Sequence, residues 1–347
     1  MMETQSPSSD IISSLPQNII EYILTLMPIR DALRTSILSK RWRHCWMTMP
    51  ILVFDYNLVQ AFTYRGRLVK HKVVNAILHV LLMHIGPLLE FELSVDIFMK
   101  TELCQILLYL SRTNVQDLSI SASDIFHNLP TSFFSLHGLE TLALINCDFQ
   151  PPVTFNGFRK LKKMSLINVT DEVLQYLLSN CPLLETIELD LHVGRMLNKL
   201  PTLVHLKCVR LHVCLKEHNV ISSVLCIIMS SPNLKTLKLR MDDDEKLQTH
   251  ESSIKFDDLQ NDSSLTLDHL QHFDVLNFRN IVYGMEFVKL IMAKSHVLKK
   301  ARIWLNPRVP IYQELKILRD MNRFPRASPS AELIIEKPVL HEWPYCD

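Results

Sequence analysis

Glycine is the scarce residue of this chain, 6 among 347, and the six are widely scattered (Gly66, Gly86, Gly138, Gly157, Gly194, Gly284). Ordinary proteins use about 7 %. A dinucleotide fingerprint or a phosphate loop needs glycines clustered for tight turns and close backbone approach, so both are excluded. Two-residue hairpins are disfavoured for the same reason. An excess of one charge is also missing: 37 basic against 36 acidic residues leave a net charge of +1. Nothing in that balance steers the chain towards nucleic acid or an anionic membrane. The most apolar stretch, residues 76–89, is broken by His79, His84, Gly86 and Pro87 and is shorter than the roughly 20 residues that a membrane helix needs. The opening MMETQSPSSD lacks the basic start and apolar run of a secretory signal. The expectation is a soluble protein of the nucleus, the cytoplasm or both. The eight cysteines form no Cys-x-x-Cys pair and sit mostly in apolar runs, which predicts reduced core cysteines and neither disulfides nor a metal site.

What is present is apolar content, 48 %, of which 56 leucines are the largest part. It is arranged in two ways. Residues 10–50 read as three short helices. Ser14-Leu15-Pro16-Gln17 offers a helix start, with proline pre-setting the first turn. Ile19, Ile20, Ile23, Leu24 and Met27 recur at helical spacing until Pro28. Asp31 is expected to cap a second helix and Ser39 a third, which places Trp42 and Trp46 on one face; Pro50 closes the unit. About forty residues cannot bury this many large apolar groups alone. The rest of the chain or a partner must cover some of them.

Beyond Pro50 the pattern L-x-x-L-x-L recurs. Its matches begin at Leu88, Val115, Leu139, Leu161, Leu184, Leu203, Leu234, Leu270 and Leu298, in steps of 27, 24, 22, 23, 19, 31, 36 and 28 residues. The middle steps suit leucine-rich repeats. Alternation of this kind predicts a short strand with one face buried, and stacking of successive strands supplies a core that no single repeat has. Residues 171–178 and 220–229 are predicted as returning helices, stopped by Cys181-Pro182 and Ser231-Pro232. Residues 241–264, with the acidic run Asp242–Glu245, read as a solvated loop inserted between repeats.

Residues 10–50 resemble a plant F-box. The likeness is carried by Leu15-Pro16, the apolar run from Ile19 to Leu26, Asp31-Ala32-Leu33-Arg34-Thr35-Ser36, and Leu38-Ser39-Lys40-Arg41-Trp42-Arg43 with Trp46. Glu286-Phe287-Val288-Lys289, Leu298-Lys299-Lys300 and Phe324-Pro325-Arg326-Ala327-Ser328-Pro329-Ser330-Ala331 resemble the FBD region of plant F-box/LRR proteins. The resemblance implies an α/β solenoid (α+β at its helical front). A disordered tail (1–9) precedes a three-helix F-box (10–50), an irregular horseshoe of parallel leucine-rich repeats (51–265), and an FBD region continuing it (266–347). In that family the F-box docks on a Skp-type adaptor, which links it to a cullin and a RING subunit, and the repeats hold a protein target for ubiquitin transfer. Leu15 and Pro16 would then enter the adaptor groove. Ile19, Ile20, Leu24, Leu38 and Trp42 would serve the interface or internal packing, and Lys40 would lie on the adaptor-facing side of the third helix.

The outward strand positions of the repeats are the candidates for a target. They include Glu185, Thr186 and Glu188; Val204, His205 and Lys207; and Lys235, Thr236, Lys238 and Arg240. Glu185, Glu188, Lys235, Lys238 and Arg240 are the charged residues singled out, a mixed surface suited to protein more than to DNA. No nucleophile–base–orienter set and no cofactor box can be placed, so the expectation is a receptor subunit and not an enzyme. A non-ligase adaptor or sequestering module and a small-molecule sensor are the alternatives.

Overall fold

The computed structural model describes residues 12–64, 67–94, 100–122, 127–191, 197, 200–214, 218–241, 267–279 and 282–338. The expected tail and all but Met241 of the expected polar loop lie outside them. The chain packs as two compact units, 1–158 and 159–347.

In the first unit a 3-10 turn (Ile12–Ser14) leads into α1 (Gln17–Thr25) and α2 (Ile29–Arg34), then a 3-10 turn (Thr35–Ile37) and a longer 3-10 helix (Trp42–Thr48). Pro16 and Pro28 stand at the N-caps of α1 and α2 with φ −55° and −51°, so each helix starts from a pre-set backbone. Asp31 is therefore not the cap expected of it: it lies in the first turn of α2, 3.6 Å from Arg34. The expected third helix is 3-10, and the Ser39 hydroxyl accepts from the Trp42 N–H at 3.4 Å. The remaining elements are β1 (Ile51–Phe54), α3 (Tyr56–Ala61), β2 (Thr63–Tyr64), β3 (Arg67–Leu68), α4 (Lys70–Met83), β4 (Glu90–Leu93), α5 (Lys100–Leu110), β5 (Asp117–Ser121), β6 (His127–Asn128), β7 (Thr141–Ile145) and β8 (Cys147–Asp148). β1, β4, β5 and β7 pair in that order, all parallel. Beside them Phe133, Phe134, Phe149, Phe155 and Phe158 pack with ring centroids 4.7 to 5.4 Å apart.

The helical front is bound directly to the first strands. The N–H groups of Ile85 and Gly86 donate to the Met47 carbonyl at 2.9 and 3.3 Å, and that of Leu89 donates to Pro50 at 2.8 Å. The buried His84 ring meets the Met49 carbonyl through Nε2 at 2.8 Å. Gly86 lies so close that a Cβ there would come within 2.8 Å of the Thr48 Cα. Gly86→Ala should therefore cost about 1–3 kcal/mol, as overpacking against backbone does. Urea unfolding would show it as a lowered midpoint, and an unchanged midpoint would contradict the close approach.

The second unit comprises β9 (Lys163–Ile167), α6 (Asp171–Asn180), β10 (Thr186–Leu191), β11 (Cys208–Val213), α7 (His218–Met229), β12 (Thr236–Met241), β13 (His272–Phe278), α8 (Val282–Lys294), β14 (Lys300–Leu305), α9 (Ile311–Asn322) and β15 (Glu332–Glu336). The strands pair in parallel in chain order from β9 to β15. Both helices expected from sequence, 171–178 and 220–229, are present and end before Pro182 and Pro232. Within the FPRASPSA segment Ser328 is buried, its hydroxyl donating to the Leu298 carbonyl at 2.8 Å.

Eight of the nine motifs place a strand two residues after their first position. The exception is the motif expected at Leu203. β11 starts at Cys208, so the motif is Leu206-x-x-Val209-x-Leu211, three residues later. The steps on either side become 22 and 28, in place of 19 and 31. The outward residues at this repeat are consequently Cys208, Arg210 and His212, and Val204 and His205 lie ahead of the strand. Strands β1 and β15 belong to no motif found from sequence.

Asparagine takes glycine's place at several corners. Asn146, Asn168 and Asn277 have φ of 55°, 51° and 61°, and each follows the last apolar motif residue by two positions. Asparagine is the side chain that best tolerates this left-handed region. Asn146 and Asn277 also donate from Nδ2 to the carbonyls of Ala122 and Met241, at 2.5 and 2.6 Å, at the end of the preceding strand.

Candidate protein-binding surfaces

Helix α1 is apolar round more than half its girth. Ile20 and Leu24 are fully buried, whereas Ile19, Tyr22 and Leu26 are 41, 63 and 69 % exposed. At about 100° per residue the exposed three fall within an arc of about 60°, so the helix keeps one stripe for the unit and leaves another in solvent. Ile37 and Leu38, 87 and 68 % exposed, add to the uncovered apolar surface of this front segment. Three contacts hold α1 in its orientation. The Arg41 guanidinium donates to the Leu15 carbonyl. The Thr48 hydroxyl donates to Glu21 Oε1 at 2.5 Å, and Cys45 Sγ lies 3.7 Å from Gln17 Oε1.

The residues expected to meet an adaptor thus separate. Pro16, Ile19, Leu38 and Lys40 are exposed and Leu15 is half-buried. Ile20, Leu24 and Trp42 are buried, Trp42 at 4 % exposure, and so pack internally. Tyr22, Leu26 and Ile37 were not anticipated. Tyr22 and Leu26 form with Ile19 a second apolar stripe at i, i+3 and i+7 that the sequence offers, and Ile37 lies outside it.

In the second unit the strands present one apolar and one polar face. Across the polar face Ser165, Glu188, Arg210, Lys238, Asp274 and Arg302 align on successive strands, and Asp190, His212 and Arg240 align in the next row. Neighbouring strands lie about 4.8 Å apart, so Arg210, His212, Lys238 and Arg240 form a compact basic grid. Acids flank it. His212 Nε2 is 3.5 Å from Glu188. The buried Asp274 takes two hydrogen bonds from Arg302, at 3.1 and 3.2 Å, and Arg302 also stacks over Trp304 at 5.2 Å. Lys207 pairs with Glu185 at 3.0 Å. Lys235 and Arg240 are exposed and Lys238 is half-buried. Arg210, His212, Arg302 and Trp304 were missed from sequence, the first two because of the three-residue slip. In the first unit the polar strand face is acidic: Glu90 and Asp117 are register partners with Glu92 nearby, and burial first, then these neighbours, pushes the Glu90 carboxyl up.

The hydrogen bond between His212 and Glu188 holds the imidazole above its usual 6.5 and the carboxyl below its usual 4.5. The histidine's contribution to stability is complete below 6.5 and fades as pH rises through its raised value. The carboxylate's is complete above 4.5 and fades as pH falls through its lowered value. The pair is therefore worth most between these two values. The melting-temperature gap between the native chain and Glu188→Gln should narrow from pH 6 to pH 8, whereas a constant gap would mean that the pair does not titrate this way.

Two family models match this chain. An F-box domain model matches residues 12–54, and a model described as "FBD-associated F-box protein At5g56370, LRR repeats" matches 103–261. The F-box/FBD/LRR-repeat protein At1g13570 of Arabidopsis thaliana is 28 % identical, over 94 % of this chain and 98 % of its own length. The chain carries an F-box match followed by a match to the repeats of F-box/LRR-repeat proteins. The putative F-box/LRR-repeat protein At3g18150 of the same plant is 30 % identical over 81 % of this chain and 65 % of its own length. The FBD-associated F-box protein At5g56370 is 31 % identical over 52 and 43 %. The chain thus spans less than two thirds of these last two relatives. The stretch matched by the F-box model contains α1, α2, the 3-10 helix and β1.

Proposed function

We propose that this chain is the substrate-recognition subunit of a Skp–cullin–F-box ubiquitin ligase. The observation that carries the proposal is the uncovered stripe Ile19–Tyr22–Leu26, with Ile37 and Leu38, on a segment otherwise packed against the first repeats. Exposed apolar anchors with a polar surround are what a protein interface uses. A Skp-type adaptor would cover them and bring the cullin and RING subunits. The polar strand faces would hold the target, with Glu188, Lys238 and Arg240 joined by Arg210 and His212, and residues 266–347 would act as the FBD region. The chain makes or breaks no bond itself. It raises the effective concentration of a target lysine near the ubiquitin-loaded enzyme, in the nucleus or the cytoplasm.

The test is binding of the full chain to a plant Skp adaptor by titration calorimetry. Ile19→Asp with Leu38→Asp should weaken binding on the order of 100-fold, about 1.4 kcal/mol for each anchor lost. Both side chains are exposed, so the melting temperature should stay put. Undiminished affinity would overturn the assigned docking face, and no binding by the native chain would overturn the ligase reading.

A further inference from the structure

Between α2, α3 and α4 lies a cleft of about 520 Å³ that neither the docking stripe nor the strand face uses. Its walls are Ile29, Leu33, Trp46, Phe54, Leu58 and Phe62, an apolar and partly aromatic lining of the size that small-molecule sites have, roughly 300–1,000 Å³. Three polar residues complete it: Ser36, Arg30 and His79. The Ser36 hydroxyl oxygen is buried and has no hydrogen-bond partner among the described residues. Such a group is costly to leave unpaired and calls for a reason. Arg30 and His79 are exposed at the rim, and no aspartate or glutamate lines the cleft. Arg30 makes no ion pair or side-chain hydrogen bond among the described residues.

We infer that this cleft, between the F-box and the helices of the first repeat, is a binding site for a small aromatic monoanion. The apolar walls take the ring system. The Arg30 guanidinium pairs with the carboxylate or sulfonate at the mouth, where a charge-assisted bond is stronger than a neutral one. A neutral ligand would fill the same walls without using Arg30, and a cation would face Arg30 unopposed.

The probe is 1-anilinonaphthalene-8-sulfonate, with uncharged N-phenyl-1-naphthylamine as its neutral counterpart, added to the full-length folded chain. The sulfonate should bind saturably at one equivalent, on the order of 10-fold tighter than the neutral dye. Arg30→Gln should weaken the sulfonate on the order of 10-fold and move the neutral dye less than 2-fold. Ala76→Phe, which fills the cleft from α4, should abolish binding of both. Ala61→Phe does the same from α3 if Ala76→Phe lowers the melting temperature. Arg30 is exposed, so its variant keeps the fold and carries the test even if both filling variants fail. Diffuse binding at many equivalents, full binding to a folded filling variant, or equal effects of Arg30→Gln on the two dyes would each overturn the site or its preference for an anion.

Discussion

Phe133→Ala should lower the stability of the first unit by about 4 kcal/mol, the upper part of the range for emptying an aromatic site in a core. Phe133 is fully buried and touches three other rings, those of Phe134, Phe149 and Phe158, at 5.3 to 5.4 Å. The edge-to-face arrangements, at 72° to Phe134 and 73° to Phe158, add a term beyond area burial. The surrounding phenylalanines are themselves pinned by one another, so the void cannot collapse easily. Phe133→Leu keeps most of the volume and should cost clearly less, about 1 kcal/mol. Urea unfolding followed by tryptophan fluorescence separates the two. A loss below about 1 kcal/mol for the alanine variant would mean that the cluster is not the core of this unit.

The second large effect is expected at Arg302. Its partner Asp274 is 2 % exposed and relies on the guanidinium for both oxygens. Arg302→Met keeps much of the stem over Trp304 but strands the carboxylate, and breaking a buried pair from one side costs about 3–5 kcal/mol. The reverse experiment is informative. Arg302→Met combined with Asp274→Leu removes the orphan as well and should recover most of the loss, since apolar replacements of buried pairs are often near neutral. If the double variant is as unstable as the single, the desolvated carboxylate is not the cause.

Much of the fold was legible because the buried face of a repeat writes itself at fixed spacing. Leu139-x-x-Leu142-x-Leu144 and Leu184-x-x-Ile187-x-Leu189 each locate a strand to the residue. The failures share a physical reason, which is that periodicity shows which positions are apolar and not which of two overlapping frames is used. Leu203 and Leu206 both offer an anchor three residues before another apolar group, and only pairing with β10 and β12 selects the second frame. β1 escaped notice because its anchors are Met49 and Phe54, interrupted by Pro50. β15 escaped because Ser330 stands where the others have an apolar residue. The proposed docking face was half legible. Ile19 and Leu38 were named, but adjacent Ile20 and Leu24 could be sorted from them only by seeing which side of α1 meets the 3-10 helix. The cleft was not legible at all, because its walls come from residues 29 to 80 on six separate elements.

The joint at Met47, Met49 and Gly86 has a practical consequence. F-box proteins invite an experiment in which the front helices are deleted and the shortened chain serves as a target-binding control. Here such a deletion at Pro50 is not neutral. It would take away the carbonyl that receives Ile85 and Gly86, the one that receives Leu89, and the one against which His84 is held. It would also unroof Phe54 and Leu58, which share the cleft with Trp46. A phenotype from that truncation would confound loss of the adaptor with fraying of the first repeat. Point changes on the solvent side of α1 leave the joint intact and ask the cleaner question.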